Sequence, residues 1–373
     1  MAGVNKVLVV GGGIAGMSAA ISLRKVGVEV DLIDADPQWR VYGAGITITG
    51  PTLRAFQHLG VLDDVLDVGA TADGLKVCSV SGQMLSEIVT PRLGPGIPGA
   101  GGILRPALHR ILSSRTQDSG VSVRLGVSVN HLLDGVNDIA VRFTDGSSDR
   151  YDAVIGADGV FSTVRAQVFP DAPKPAFTGQ ACWRLMMPRL PSVDKRHFFL
   201  GGSVKIGLNP VSPTEMYMFL LQGMPERQRF PDDMLHVELA RLMAGYGGIL
   251  ADVRDQLSPD SRIVYRPLEA VLLKDPWYRG RTLLIGDAAH ATTPQLASGA
   301  GLAVEDGLVI AEELRRGPTV QAAFERFMRR RYERCRMVVE NSLRLGALEV
   351  EGASVDAQRG LLEASLETLA EAI

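Results

Sequence analysis

Cysteine is scarce in this chain of 373 residues: Cys78, Cys182 and Cys335 are the three, with no CxxC pair and no metal-like spacing. An odd, scattered set excludes a disulfide scaffold and suits a reducing, cytoplasmic setting. Long apolar runs are missing as well. None reaches the roughly 20 residues that cross a bilayer, so no stable membrane association is expected. The short run Val7 to Val10 passes straight into glycines, which is not the pattern of a signal peptide. Charge of one sign is also lacking, since 39 basic and 42 acidic residues leave a net −3. No basic stripe with interleaved aromatics marks a nucleic-acid surface, so nucleic acid is not an expected partner. Internal repeats and low-complexity segments are absent. What remains is 46% hydrophobic and 22% charged, enough for a sizeable core in about two domains.

Glycine is abundant, with 41 residues, and its placement organises the chain. Lys6 to Val10 reads as a buried parallel strand, Gly11-Gly-Gly-Ile-Ala-Gly16 follows it, and a helix is expected from Ile14 to about Val26. Val28 to Ile33 reads as a second strand ending at Asp34. Pro51 to Leu62 and Leu104 to Thr116 look helical, and the Gly/Pro-rich stretch Gly94 to Gly102 looks like a plain connector. Strands are expected at Val121 to Leu125, Ile139 to Phe143 and Tyr151 to Gly156, with Asp145-Gly146 turning the second into the third. From Phe177 to Leu272 the texture becomes alternating and reads as an inserted antiparallel sheet, with one helix near Asp232 to Gly245. Thr282 to Ile285 is another apolar strand, and helices follow from Gly299 onward. The basic run Arg326 to Arg336 reads as a solvated helix face. The tail Leu361 to Ile373 reads as a packing helix or a homodimer contact.

Three motifs carry chemistry. The first is Gly11-x-Gly13-x-x-Gly16 between strand and helix, a dinucleotide fingerprint in its proper context. Gly11 allows the turn, Gly13 the approach of a pyrophosphate, and Gly16 close packing. Ile14 and Ala15 open a helix whose N-terminus favours phosphate. Asp34 follows Gly16 by 18 residues, where a carboxylate accepts from a ribose. This alone leaves NAD and FAD open. The second motif, Thr282-Leu-Leu-Ile-Gly286-Asp287, puts an acid on a late returning strand, followed by Pro294 and by Ser298-Gly299-Ala300-Gly301 opening a helix. A flavin's ribityl hydroxyls need such an acceptor and an NAD dehydrogenase does not. The third motif is Tyr151 to Arg165, with Asp158-Gly159 at a strand end, where a buried acid needs bonding partners.

Together these segments resemble the class A flavoprotein monooxygenases, the p-hydroxybenzoate hydroxylase-like aromatic hydroxylases, over residues 5–345. The resemblance also rests on Gly43-Ala-Gly45-Ile46 and on Arg105 in Leu-Arg-Pro-Ala-Leu-His. It implies an α/β fold: a Rossmann-like FAD-binding domain of glutathione reductase type, an inserted antiparallel-sheet substrate domain and C-terminal helices. The FAD-binding parts are expected at 1–75, 101–176 and 273–345, the substrate domain at 76–100 and 177–272, and a C-terminal helix at 346–373. FAD is the implied cofactor, with NADPH or NADH and O2 as cosubstrates. No second strand–GxGxxG–helix unit exists for the nicotinamide, and the missing redox CxxC separates the chain from disulfide reductases. One departure stands out. The family often has Gly-Gln-Gly where this chain has Ser298-Gly299-Ala300-Gly301, a change expected to alter pocket shape.

By this resemblance Arg105 contacts ribose and phosphates, Asp287 the ribityl and pyrophosphate region, and Arg40 with Ala35 the adenosine end. Asp158 supports FAD indirectly and contributes to handling of the nicotinamide. Gly45, Ile46, Gly286, Gly299, Ala300 and Gly301 lie along the flavin, and Pro294 lines the cavity. The implied reaction hydroxylates a small phenol- or hydroxypyridine-like ring through a flavin C4a-hydroperoxide. Arg184, Tyr217 and His197, with Trp183 and Tyr265, are the candidates on the substrate side. An epoxidase or N-hydroxylase on the same scaffold, or a non-catalytic FAD-binding module, is the alternative. Histidines 58, 109, 131, 197 and 236 show no metal spacing, and His290 reads as structural.

Overall fold

Strands Lys6–Val10, Ala153–Gly156 and Thr282–Leu284 come from three distant stretches of the chain and lie side by side, all parallel. Each is short, apolar and buried on both faces, which is what a parallel sheet covered by helices demands. The computed structural model describes residues 3–41, 43–274 and 276–373. Its six-stranded sheet runs Tyr278–Arg279, Thr282–Leu284, Ala153–Gly156, Lys6–Val10, Glu29–Asp34, Ser122–Leu125, with only the Tyr278–Arg279 edge antiparallel. Helices Ile14–Lys25 and Gly299–Arg316 cover one face, and Gly307 lies directly on the backbone of Ser18 and Ala19.

The inserted domain is a seven-stranded sheet in the order Arg262–Leu272, Ala176–Pro188, Glu215–Gly223, Lys205–Pro210, Arg196–Leu200, Leu75–Ser79, Met84–Ile88. Its pairings are antiparallel except between Arg196–Leu200 and Leu75–Ser79, which run parallel. One face, with Trp183, Leu185, Phe199, Leu208, Met218 and Leu220, packs with Leu239, Leu250 and Val253 of helices Leu235–Leu242 and Ile249–Asp255. The other face turns toward the dinucleotide-binding half.

Several local expectations need correction. Tyr151 to Gly156 is not one strand. Asp152 accepts from the Asn5 and Lys6 amides at 2.6 and 2.9 Å, and this breaks Ser148–Tyr151 from Ala153–Gly156. The Asp145-Gly146 turn therefore pairs Ile139–Phe143 with Ser148–Tyr151, in a three-stranded sheet with Val129–Asp134, which alternation did not reveal. The expected helix Pro51 to Leu62 is two helices, Gly50–Leu59 and Leu62–Val68, separated at Gly60 with φ +78°. The Gly94 to Gly102 stretch ends in a strand, Ala100–Leu104, paired with Gly45–Thr49 and Ala70–Thr71. A Cβ on Gly102 would collide with the Pro210 carbonyl, so the glycine there serves close approach.

The basic run is the largest correction. Arg331 is wholly buried in helix Val320–Val350, donating to Asp306 at 2.8 Å and Glu305 at 2.7 Å. Arg334 joins Glu305 at 2.9 Å, and Arg326 and Arg330 bind Glu313. These arginines fasten the long helix to Gly299–Arg316. The tail helix Val355–Ala370 docks on the same body, its last carbonyls accepting from Arg54 and Arg334. No helix among the described residues is long and apolar enough to cross a membrane.

Removing one partner from a buried ion network strands the other charges, at about 3–5 kcal/mol. Arg331→Met, close in length but uncharged, should lower stability by about that amount. Urea denaturation followed by far-UV circular dichroism measures it, and a loss below about 1 kcal/mol would mean that the network is solvent-screened.

Candidate functional site

The glycine loop begins where strand Lys6–Val10 ends. Gly11 has φ +107°, and a Cβ there would collide with the Ala157 carbonyl and crowd Asp158. Gly286, with φ +57°, lies against Ala15 at the start of the first helix, with 2.7 Å between its notional Cβ and that of Ala15. All three chemical motifs thus meet at the C-terminal ends of three adjacent parallel strands, the usual binding edge of such a sheet. Space above Gly13 is open, with no protein atom within 4 Å of a Cβ placed there. The loop leads into helix Ile14–Lys25, whose first N–H groups have no side-chain cap. An open cradle of amides at a helix N-terminus fits a pyrophosphate.

Each acid has a distinct setting. Asp34 accepts from the Gly12 amide at 2.7 Å and from the Asp36 amide at 2.8 Å, so it shapes the loop as well as facing it. Asp158 is half-exposed rather than buried. It anchors the short helix Thr163–Val168, accepting from the Ser162 hydroxyl, the Thr163 amide at 2.7 Å and the Val164 amide at 3.0 Å. Asp287 opens to the cleft and has surrounding protein on all other sides. That desolvation raises its pKa, while His290 and Arg105 partly offset the rise. A carboxylate so placed gains by accepting hydrogen bonds from hydroxyl groups. Arg105 faces it. Burial and the neighbouring Arg184 lower the Arg105 pKa and Asp287 works against them.

Two side chains that sequence reasoning passed over hold these segments together. Arg165 reaches from the Asp158 motif to the Ala288 carbonyl at 2.8 Å, beside Asp287. Asp306 accepts from the Gly286 amide at 2.9 Å and lies 2.7 Å from His290 Nε2. Burial opposes charge on His290, but Cys335 and Asp306 outweigh it and keep the ring's pKa well above the ordinary value. His290, Asp306 and Cys335 lie close enough to hold a metal. The Arg331 guanidinium, at 2.8 Å from Asp306 and 3.5 Å from Cys335, fills the cluster with positive charge instead.

Among the described residues, two non-glycines have positive φ: Trp39 at +48° and Ala297 at +49°. Both flank the cleft. Trp39 donates to the Gly12 carbonyl at 2.8 Å and packs edge-on against His109. Ala297 leads into helix Gly299–Arg316 after the short turn Pro294–Leu296. Strain of this kind concentrates at functional sites.

The substrate-side candidates separate by strand register. Successive residues of a strand point to opposite faces, and Arg184 pairs with Phe219 while Tyr217 pairs with Asn209. Arg184, Tyr217, Phe219, Lys205, Asn209 and Phe198 share the inner face. Tyr217 packs against Gly45, and its hydroxyl lies 2.8 Å from Thr47 Oγ1 and 3.2 Å from Asn209 Nδ2. His197, Trp183 and Tyr265 belong to the other face. His197 pairs with buried Leu208 and bonds the Lys195 carbonyl, and Trp183 stacks with Tyr265 in the outer core. These three do not join the cleft. Arg40 pairs with Asp36 at 2.9 Å on the exposed loop that also carries Ala35. Gly301 packs on Thr52, and Gly299 lies near Thr292.

Comparison with known proteins adds to this geometry. The FAD binding domain family matches residues 5–342. The chain is 34% identical over 310 residues to 2-heptyl-3-hydroxy-4(1H)-quinolone synthase of Pseudomonas aeruginosa, covering 82% of this chain and 79% of that one. It is 32% identical over 312 residues to 3-amino-4-hydroxybenzoate 2-monooxygenase of Streptomyces cremeus, covering 81% and 76%. The structure of Klebsiella pneumoniae HpxO complexed with FAD and uric acid superposes with a TM-score of 0.84 at 26% identity, covering 99% and 93%.

Gly13→Val should fold normally, since its extended backbone and open surroundings accept a side chain, yet the added bulk would occupy the cradle. FAD affinity should fall at least about 100-fold, roughly 2.7 kcal/mol, with unchanged far-UV circular dichroism. Wild-type affinity in that variant would show that phosphate does not approach Gly13.

Proposed function

This chain belongs to the FAD-binding family of class A flavoprotein monooxygenases and is an FAD-dependent monooxygenase; from that premise we propose that it hydroxylates a small aromatic or heteroaromatic ring at the expense of NADPH or NADH and O2. The observation carrying this reading is the convergence of Gly13, Asp287 and Arg105 on a cleft whose far wall bears Tyr217 and Arg184. The names of the relatives point the same way, since quinolone, aminohydroxybenzoate and uric acid are all flat rings bearing nitrogen or oxygen.

The amides of the Gly11 to Gly13 loop and the helix N-terminus behind it would bind the pyrophosphate, with Arg105 as counter-charge. Asp34 keeps free lone pairs for the adenosine ribose after taking two backbone amides. Asp287 would accept from the ribityl hydroxyls. When bound, FAD supplies hydride acceptance from the nicotinamide and, with O2, delivery of one oxygen atom to the ring while the other leaves as water. Helix Gly299–Arg316, 18 residues long, presents its N-terminus to the cleft and would stabilise negative charge there. Pro294 would wall the ring on that side. On the opposite wall the Tyr217 hydroxyl, fixed by Thr47 and Asn209, would orient a hydroxyl or carbonyl of the substrate. Arg184 would stabilise the electron-rich, anionic form of the ring.

Without a second nucleotide domain, the nicotinamide would bind only transiently over the cleft, and the substrate would gate flavin reduction. NAD(P)H oxidation should rise at least roughly tenfold with an effective aromatic, about 1.4 kcal/mol in barrier. Anaerobic stopped-flow reduction with a panel of hydroxylated aromatic and heteroaromatic compounds measures it. Equal reduction rates with and without every hydroxylated compound would contradict the gating.

A further inference from the structure

Arg184, Lys205 and Arg196 all project from the inner face of the seven-stranded sheet, but their charges are not equally matched. Lys205 Nζ lies 2.8 Å from Glu349 Oε1, and the second oxygen of Glu349 accepts from Gln180 Nε2 at 3.1 Å. Arg184 and Arg196 have no carboxylate within ion-pair distance among the described residues. His197 pairs with Leu208 and Phe198 with Gly207, which sets Arg196 beside Asn209 and on the same face as Phe198. The strands bearing Arg184 and Arg196 stand three spacings apart, about 14 Å. Tyr217, Phe219, Gly207 and Asn209 lie on the two strands between. Arg196 is only 9% exposed, and its Nε is buried without a hydrogen-bond partner. Burial pushes its pKa down to about 10 while Tyr217 works the other way, so the guanidinium stays charged at neutral pH. It lines a niche with Thr71, Gly101 and Asn209 whose free space is about 10 Å³, that of one water-sized atom. Asn209 Oδ1 is buried there without a donor. Asp194, at the same niche, is committed to Lys76 at 2.6 Å. A buried charge with no partner costs stability, and a protein keeps one where function needs it.

We propose that Arg196 is a specificity-determining residue that binds an acidic substituent of the substrate, so that the ring hydroxylated here belongs to an aromatic or heteroaromatic acid. The inference rests on the functional reading above and narrows its substrate class. The substrate ring lies along Phe198 and Phe219, whose own rings meet edge-on over Gly207 with centroids 5.8 Å apart. The niche takes one oxygen of the acid and nothing larger. A guanidinium presents a planar fork of N–H donors that matches a carboxylate. Asn209 Oδ1 accepts from a hydroxyl or amino group next to the acid. An acid entering this space sheds its water, and a cation with no other partner offsets that loss. A neutral amide of the same shape gains no such pairing. Glu349 does not oppose the acid, because Lys205 already matches its charge. Arg184, three strands away, is left for the anionic form of the ring itself.

The test uses FAD-loaded protein and a matched pair of probes, salicylate and salicylamide, with binding read from perturbation of the flavin absorbance. Wild type should favour salicylate. Arg196→Met should shift the ratio of dissociation constants at least tenfold toward salicylamide, and Arg196→Lys, which keeps the charge, should retain most of the preference. The urea midpoint of Arg196→Met should match or exceed that of wild type, since the substitution removes an unpaired buried charge. A residue that merely holds the fold would instead lower that midpoint and weaken both probes together, which overturns the proposal. Wild type that binds the two probes equally overturns it without any variant. The flavin spectrum separates this proposal from the reading beneath it. Protein that takes up no FAD overturns the functional reading. A normal flavin spectrum with an unchanged probe ratio in Arg196→Met, or with neither probe bound by wild type, overturns this one.

Discussion

The buried carboxylate of Asp306 is the joint on which both halves of the site depend. It bonds the Gly286 amide at the end of the last core strand, the His290 ring just beyond, and Arg331 from the long C-terminal helix. A charge in such a place is tolerable only because each oxygen is occupied. The consequence is geometric. The Gly286-Asp287 turn is held against Ala15, so the acid facing the cleft and the glycine loop have a fixed separation before any ligand arrives. Arg165 closes the arrangement from the other side through the Ala288 carbonyl. The cleft is preorganised by groups that never touch its contents, the arrangement that a site dependent on orientation requires.

Beyond this joint the division of labour follows the two sheets. The parallel sheet brings strand ends together and offers backbone amides, a helix N-terminus and carboxylates, all suited to a polar dinucleotide. The seven-stranded sheet offers one face only, because its other face is committed to helices Leu235–Leu242 and Ile249–Asp255. On the free face, aromatic rings alternate with cations, suited to a flat ring. The contact of Gly45 with Tyr217 and the bond of Thr47 to the same tyrosine set the distance between the walls. Chemistry that needs a dry space between a large cofactor and a small ring fits that construction.

The sequence made the parallel sheet and its glycine loop legible because those signals are local: an apolar run, a turn only glycine permits, and a helix start. Asp158 and Asp287 were legible as positions at strand ends, but the work of Asp158 in anchoring Thr163–Val168 was not, since a turn and a cap look alike in one dimension. Arg331 looked like part of a solvated basic face because its partners, Glu305 and Asp306, lie more than twenty residues earlier. His197 and Arg184 were equally plausible from composition. Strand register alone separates them, and register is fixed by the partner strands. Thr47, Asn209, Gln180 and Glu349 carried no local signal at all. Each gains meaning only from a contact across the fold, and the Lys205–Glu349 pair joins a substrate strand to a helix 144 residues away.

Equilibrium titration of the apoprotein with FAD and, separately, with FMN tests the central claim most directly, because the proposed roles of the glycine loop, Asp34 and Arg105 concern the half of FAD that FMN lacks. The expected result is a one-to-one complex with FAD and binding of FMN weaker by at least about 100-fold, roughly 2.7 kcal/mol. Equal affinity for the two flavins would contradict a cradle built around the pyrophosphate and adenosine.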